Sequence, residues 1–301
     1  MQPSKSDVHV DQVITQMAMK YLQSQQNFVA PLVFPVVPVD KQSNKYRTWT
    51  KNDWFRDEAR LRGTASESAG GGYNLSTGTY SCDVFAFHQD LADQIRSNAD
   101  ADVDLDRGAV EFVMQRLLLR REIQWVTDFF ATSKWATDKT VAAQWSDYAA
   151  SDPVSDVEEG KSTILTATGF EPNTLVLGYD TWRYLKNHPD IVARLGLGGA
   201  AADARVVTRQ AVAAIFELSN VYVAKAVKAT NAEAATAAYA LTHGKHALLA
   251  YVSPAPSTEQ PSAGYTFAWR GLNGNGTEVT MSRFRLEALK ADRIEGELAW
   301  D

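Results

Sequence analysis

A single cysteine, Cys82, stands among the 301 residues. The chain can form no internal disulfide, which fits a reducing cytosol where thiols stay free, and Cys82 is read as a small strand residue in preference to a reactive thiol. Long apolar runs are also missing. The alanine-rich stretch 231–242 is the longest contender and Glu233 breaks it, so no run reaches the roughly 18 residues of a membrane-spanning helix, and no membrane partner is expected. The opening residues MQPSKSD show no basic start, apolar core and small-residue cleavage site, so no secretory leader is expected. Basic charge is in deficit: 30 Lys and Arg against 36 Asp and Glu leave −6. That disfavours a protein whose main task is gripping nucleic acid, because such affinity comes from cations neutralising phosphates.

Local signatures of catalysis are lacking too. There is no Gly-x-Ser-x-Gly elbow, no Gly-x-x-x-x-Gly-Lys phosphate loop and no His-Glu-x-x-His. Gly196-Leu-Gly198-Gly-Ala-Ala201 nominally fits a dinucleotide pattern but follows a helix, where the phosphate turn must follow a strand; it is read as a loop after a helix end. Asp100, Asp102, Asp104 and Asp106 alternate, with Glu111 at the spacing of a calcium loop's last ligand, yet Leu105 stands where the sharp turn requires Gly. These acids are read as favourable charge before a helix N-terminus. Of His9, His88, His188, His243 and His246 only the last two are close, with no carboxylate or cysteine at ligand spacing, so they are read as packed or solvated. No 20 to 50 residue repeat of the solenoid kind is visible. No catalytic, metal or cofactor-binding residue is assigned, and no cofactor is expected.

What is present is enough apolar sequence, 45%, for a substantial core, at a length that suggests two lobes. Val10, Val13, Ile14, Met17, Tyr21 and Leu22 fall on one face of a helix over 8–25. Phe28–Val39 holds Pro31, Pro35 and Pro38, which remove amide donors and predict an extended apolar arm, neither helix nor central strand. Lys45–Phe55 and Tyr80–Phe87 are rich in Tyr, Thr, Val, Trp and Phe and predict the two arms of a hairpin. Between them Arg56, Arg60 and Arg62 precede the Gly and Ser run Gly63–Gly72, a long protruding loop. Of the eight tryptophans, Trp49 and Trp54 lie on or beside this hairpin, out of reach of their own core, where aromatic anchors favour an interface.

Asp106–Ser133 predicts the longest helix, about 40 Å at roughly 1.5 Å per residue. Asp156–Gly169 predicts a second, with Asp156 as its cap and Gly169 closing it. A buried strand over Thr174–Gly178, a helix over Asp180–Leu195 broken at Pro189, a helix over Thr208–Leu218 and a strand over Asn220–Val227 make an α/β lobe. Tyr265–Leu272 and Thr277–Leu289 flank Asn273-Gly-Asn-Gly276, a strong hairpin signal, and Ile294–Trp300 predicts one more strand. The class is α+β.

This order of arm, long hairpin, spine helix, α/β lobe and returning strands resembles the Hong Kong 97-type fold of tailed-bacteriophage major capsid proteins. The segment Pro172–Pro189 (PNTLVLGYDTWRYLKNHP) is similar to the family's buried strand followed by a helix ending in Leu-x-x-His-Pro. The resemblance implies an N-terminal arm (1–44), an E-loop hairpin (45–90), a peripheral domain (91–153) with a spine helix (106–133), an axial domain (154–253) and peripheral return strands (254–301). It implies a non-enzymatic major capsid protein that assembles as hexamers and pentamers into an icosahedral shell around phage double-stranded DNA, without sequence-specific binding. Synthesis and assembly would occur in the host bacterial cytoplasm, and the mature location would be the virion capsid. Portal and decoration proteins are possible partners, and scaffolding, for which no preceding helical segment is seen, would be separate or already removed. Implied contacts between subunits fall on Val29, Leu32, Phe34 and Val36 of the arm and on Trp49, Trp54, Phe55, Arg56, Arg60 and Arg62 of the hairpin. Two alternatives stay open: an encapsulin-like compartment holding a cargo enzyme, and a cytosolic α/β enzyme with an unmarked site.

Overall fold

The computed structural model describes residues 23–99, 104–196, 207–232, 235–257, 260–271 and 279–301. The predicted helix over 8–25 lies almost wholly outside them, as do the Asn273–Gly276 turn and the glycine run beyond Gly196. In the arm, Ala30–Val33 forms one helical turn, α1, with Pro31 in its first positions. This corrects the fully extended expectation: a first-turn amide has no helical acceptor, so proline loses nothing there. Val36–Val39, strand β1, then pairs parallel with Thr266–Trp269 on one side. Pro38 is tolerated because β1 is an edge.

The hairpin arms are β2 (Ser43–Trp49) and α2 (Lys51–Trp54), a single helical turn, on one side and β3 (Leu75–Ser81) on the other. β2 and β3 pair antiparallel from Ser43↔Ser81 to Trp49↔Leu75. The sequence places the second arm at Tyr80–Phe87; only Tyr80 and Ser81 belong to it. Asp83–Ala92 is a separate strand, β4, that joins a different sheet. Both stretches have strand composition, and composition does not show where one strand ends and its partner changes.

After α3 (Asp93–Asn98) comes the spine helix α4 (Leu105–Phe129), about 38 Å long. Asp104 caps it by accepting from Arg107 N at 2.9 Å, and Trp135 Nε1 donates to Phe129 O at its far end. Ala109, Val113 and Leu117 are buried. They face a sheet in which Gly296 makes room, since a Cβ there would lie 2.6 Å from Val113 Cγ1.

The α/β lobe begins with α5 (Pro153–Thr168), capped by Asp152 rather than Asp156: Asp152 Oδ1 accepts from Val154 N and Ser155 N. Pro153 suits the position after a cap, and Asp156 instead accepts from the Trp145 indole. Gly169 closes the helix at φ +76°, the left-handed conformation that favours glycine. β5 (Thr174–Gly178) is buried throughout. Around it stand α6 (Tyr179–Leu185), α7 (Pro189–Gly196), α8 (Arg209–Ile215), β6 (Asn220–Ala224), the small pair β7 (Val227–Ala229) and β8 (Tyr239–Leu241), and β9 (Ala247–Ala250). The sheet order is β6-β5-β9, with β6 parallel and β9 antiparallel to β5. Leu175, Leu177, Leu185, Ile191, Val212 and Phe216 fill one side of it.

The chain returns through β10 (Thr266–Trp269), β11 (Thr280–Leu286) and β12 (Ala291–Trp300). β10 and β11 do not form the expected hairpin with each other. β12 lies between them, antiparallel to both and to β4. The described hairpin is β11–β12, closed over Glu287–Lys290 with Lys290 at φ +47°. The ten-residue β12, buried at six of its positions, takes the centre.

Candidate assembly surfaces

The ten implied contact residues divide by burial. Val29 (1% exposed) and Phe34 (3%) pack with Trp125 of the spine helix and Val176, Leu248 and Ala250 of the α/β sheet. Phe34 meets Trp125, Phe129 and Trp135 edge to face. Both are core residues of their own subunit, which removes them from the contact set. An apolar arm needs a surface to lie on, and the first part of this one lies on its own spine. Leu32 stays 45% exposed, and Val36 is half-buried on the edge strand.

The hairpin is different. Trp54 (60%), Phe55 (58%), Trp49, Leu61, Tyr73 and Leu75 are all exposed. α2 holds its shape through Asp53, whose Oδ2 accepts from Asn74 N at 2.9 Å and Asn74 Nδ2 at 3.0 Å, while Trp54 lies beside Tyr73 with ring centroids 5.6 Å apart. Lys51 Nζ donates to Ala167 O at the C-terminus of α5, and the Phe55 ring covers Gly169 so closely that a Cβ there would lie 2.6 Å from its Cζ. Arg56, Arg60 and Arg62 are exposed; Arg56 faces Glu58 at 3.7 Å and Arg62 Nε donates to Ser66 O.

The polar clusters serve other ends. Asp106 joins Arg96 and Arg283, and Glu111 Oε1 accepts from Arg107 Nε. With Asp104 as helix cap, the described members of the aspartate series are charge at a helix start. Asp292 accepts from Arg96, Arg283 and Arg285, which holds its carboxyl down at about 2. Among the described residues no group of three or more His, Cys, Asp or Glu is placed to hold a metal ion. Cys82 is buried, its thiol pushed up to about 11 first by desolvation and then by Asp301 and Asp83.

Sequence reasoning missed two buried histidine clusters, because their members are far apart in the chain. Ser151 Oγ lies 3.0 Å from His188 Nε2, with Asp190 Oδ2 3.4 Å from Nδ1, an arrangement that superficially resembles a hydrolytic triad. The donors run the wrong way for one. Asp190 N donates to Nδ1, so Nε2 carries the proton, and the Ser151 hydroxyl donates to Asp147 O. A nucleophile needs its base unprotonated at the hydroxyl, so these residues brace the loop before α5 against α7. The second cluster is Glu122 and His243, both 1% exposed. Glu122 Oε1 and Oε2 accept from Val29 N and Ala30 N at 3.0 Å each, and His243 Nε2 stands 3.4 Å from Oε1. Burial pushes Glu122 up to about 7 and His243 down to about 4.

No family model matches the chain. It is 28% identical over 285 residues to the major capsid protein of Burkholderia phage BcepMu, covering 87% of this chain and 84% of that one. The crystal structure of a phage-related protein from Bordetella bronchiseptica superposes with a TM-score of 0.68 at 23% identity, covering 92% of this chain and 88% of that one. An encapsulin complex from Synechococcus elongatus superposes at 0.52 with 12% identity, covering 97% and 90%, so phage shells and encapsulin shells share this architecture. In sequence the chain is similar to the major capsid proteins of Burkholderia and Pseudomonas phages, and in fold to the subunits of phage capsid shells.

Proposed function

We propose that hexamers and pentamers of this protein build an icosahedral shell that encloses phage double-stranded DNA, and that its part is structural rather than enzymatic. Residues 43–81 act as the E-loop laid across a neighbouring subunit, the β4, α4 and β10–β12 layers form the peripheral domain, and the lobe from 154 to 253 sits towards the symmetry axes. The observation that carries this reading is the hairpin. It leaves Trp49, Trp54, Phe55, Leu61, Tyr73 and Leu75 exposed on one element, and large apolar groups gathered in that way mark an interaction surface. Leu32 and Val36 of the arm, together with Arg56, Arg60 and Arg62, complete the proposed contacts. Each exposed ion pair contributes only about 0–1 kcal/mol, so cohesion comes from the apolar groups and from repetition around the shell. An acidic chain, −6 overall, suits a container that holds DNA without gripping it. Assembly in the host cytoplasm, with separate scaffolding, portal and decoration proteins, completes the reading.

Gly70 and Gly72 have open space where a side chain would be, which suits the adjustment one sequence must make between five-fold and six-fold settings. Negative-stain microscopy of the expressed chain, with scaffolding supplied, should show closed shells or capsomer rings. A discrete monomer or dimer under every condition would overturn the reading. Shells that hold a protein cargo and never DNA, encoded beside a cargo enzyme rather than terminase and portal genes, would transfer it to the compartment class.

A further inference from the structure

Glu122 sits where three parts of the molecule meet. It belongs to the spine helix, its two oxygens accept from the first amides of the arm's helical turn, and it faces His243, which follows β8 in the α/β lobe. The proton positions around His243 follow from its neighbours. Thr242 Oγ1 donates its only proton to Ala226 O at 3.1 Å, so towards His243 Nδ1, 3.0 Å away, it can only accept. Nδ1 therefore carries the hydrogen. In a neutral ring Nε2 is then a bare lone pair, aimed into a dry space walled by Trp125 and Phe130. Among the described residues Nε2 has no hydrogen-bond partner apart from the nearby carboxylate. Two acceptors 3.4 Å apart and cut off from water repel each other unless a hydrogen lies between them.

We propose that Glu122 and His243 hold a single proton, resident on Glu122 Oε1 and directed at His243 Nε2, and that this proton allows the arm to be clamped on the spine helix inside a sealed joint. The joint ties arm, peripheral layer and α/β lobe together at one point. Its charged surroundings are sparse. Burial raises Glu122 against the Val29 and Ala30 amides and, after them, Arg121 on the same helix, which pull it down, and His246 pushes His243 down in addition to burial. The arm from Gln23 to Val39 brings no titratable group, the sheet brings only the phenol of Tyr222, and Lys225 and Lys245 are exposed.

The test is urea unfolding of the full chain from pH 4 to 8, for wild type, Glu122→Gln and His243→Gln. With a carboxyl raised from 4.5 to about 7, the Glu122 contribution to stability is complete below 4.5 and lost as pH rises through 7. With an imidazole lowered from 6.5 to about 4, the His243 contribution is present above 6.5 and lost as pH falls through 4. The two offset each other between 4.5 and 6.5, where folding moves the proton from one residue to the other without net uptake. Relative to wild type, the folded-to-unfolded ratio of Glu122→Gln should climb with pH, and that of His243→Gln should fall, each by up to about tenfold per unit. A packing role alone would lower stability equally at every pH, and parallel profiles for all three proteins would overturn the proposal. If a variant does not fold, infrared spectra of wild type carrying 13C-labelled glutamate decide. A protonated carboxyl that persists at pH 6 supports the shared proton, and its absence there refutes it.

Discussion

Two strands of similar length show opposite relations to their surroundings. Thr174–Gly178 is buried at every position, whereas Ser43–Trp49 is exposed at all but Tyr46 and Thr48. The first satisfies both its backbone and its side chains within one subunit. The second satisfies its backbone through β3 and leaves most side chains without a core. A two-stranded ribbon is marginal in water by itself, and this one packs on its own sheet only near its base, where Tyr46 and Tyr80 lie against Phe267; the exposed remainder is what the proposed contact between subunits would cover. Under the proposed function, the contrast separates residues that make the subunit from residues that would make the shell.

The widest difference should come from the first strand. Leu177 is fully buried among Leu185, Ile191 and Phe216. Leu177→Ala should lower subunit stability by about 2–5 kcal/mol, the usual range for a truncated core leucine, read as a lower urea midpoint. Next comes the layer beneath the spine. In Gly296→Ala the new Cβ would lie 2.6 Å from Val113 Cγ1 and 3.0 Å from Leu117 Cδ1 and Met281 Sδ. Prising α4 from the sheet in this way should destabilise by about 1–3 kcal/mol. An unchanged midpoint in either variant would break the division between core and shell residues.

The same contrast explains what could be read from sequence. β5, the helix break at Pro189 and the close of α5 at Gly169 were legible because their signals are local: an apolar run, a missing amide, a left-handed residue. The spine helix was legible for the same reason to within a few residues. Strand pairing was not. The Asn-Gly signal argued for β10 against β11, but a pairing energy depends on all the strands competing for one edge, and β12 outcompetes both. Burial of the arm was likewise hidden, because Val29 and Phe34 find their partners some 90 or more residues along, at Glu122 and Trp125. The triad-like and proton-sharing histidines escaped because proximity in space left no spacing in the chain.

A smaller effect should come from the charged end of the peripheral layer. Asp292 is held at about 2 by hydrogen bonds from Arg283, Arg96 and Arg285. A carboxyl lowered in this way stabilises the fold above its ordinary value of 3.8, and the contribution is lost as pH falls through about 2. Asp292→Asn should therefore unfold at a lower temperature than wild type at pH 7, and the two melting curves should converge as pH falls from 4 towards 2. A gap that stays constant with pH would assign the loss to packing instead of charge.

The smallest change in the subunit should accompany the largest change in assembly. Trp54 and Phe55 are more than half exposed, so Trp54→Ala with Phe55→Ala removes little from the folded monomer. Its unfolding free energy should fall by no more than about 1 kcal/mol, about 0.5 for each of two surface positions. Against a neighbour the same rings would be buried, and truncating an aromatic anchor at an interface costs about 2 kcal/mol or more. That cost recurs at every copy of the contact, so a modest loss per subunit suffices to prevent closure. Sedimentation of the double variant should show folded subunits with few or no shells under conditions where wild type assembles. Full assembly would mean that the exposed rings face solvent in the shell as they do in the free chain, and the cohesive surface would then have to be sought on the arm.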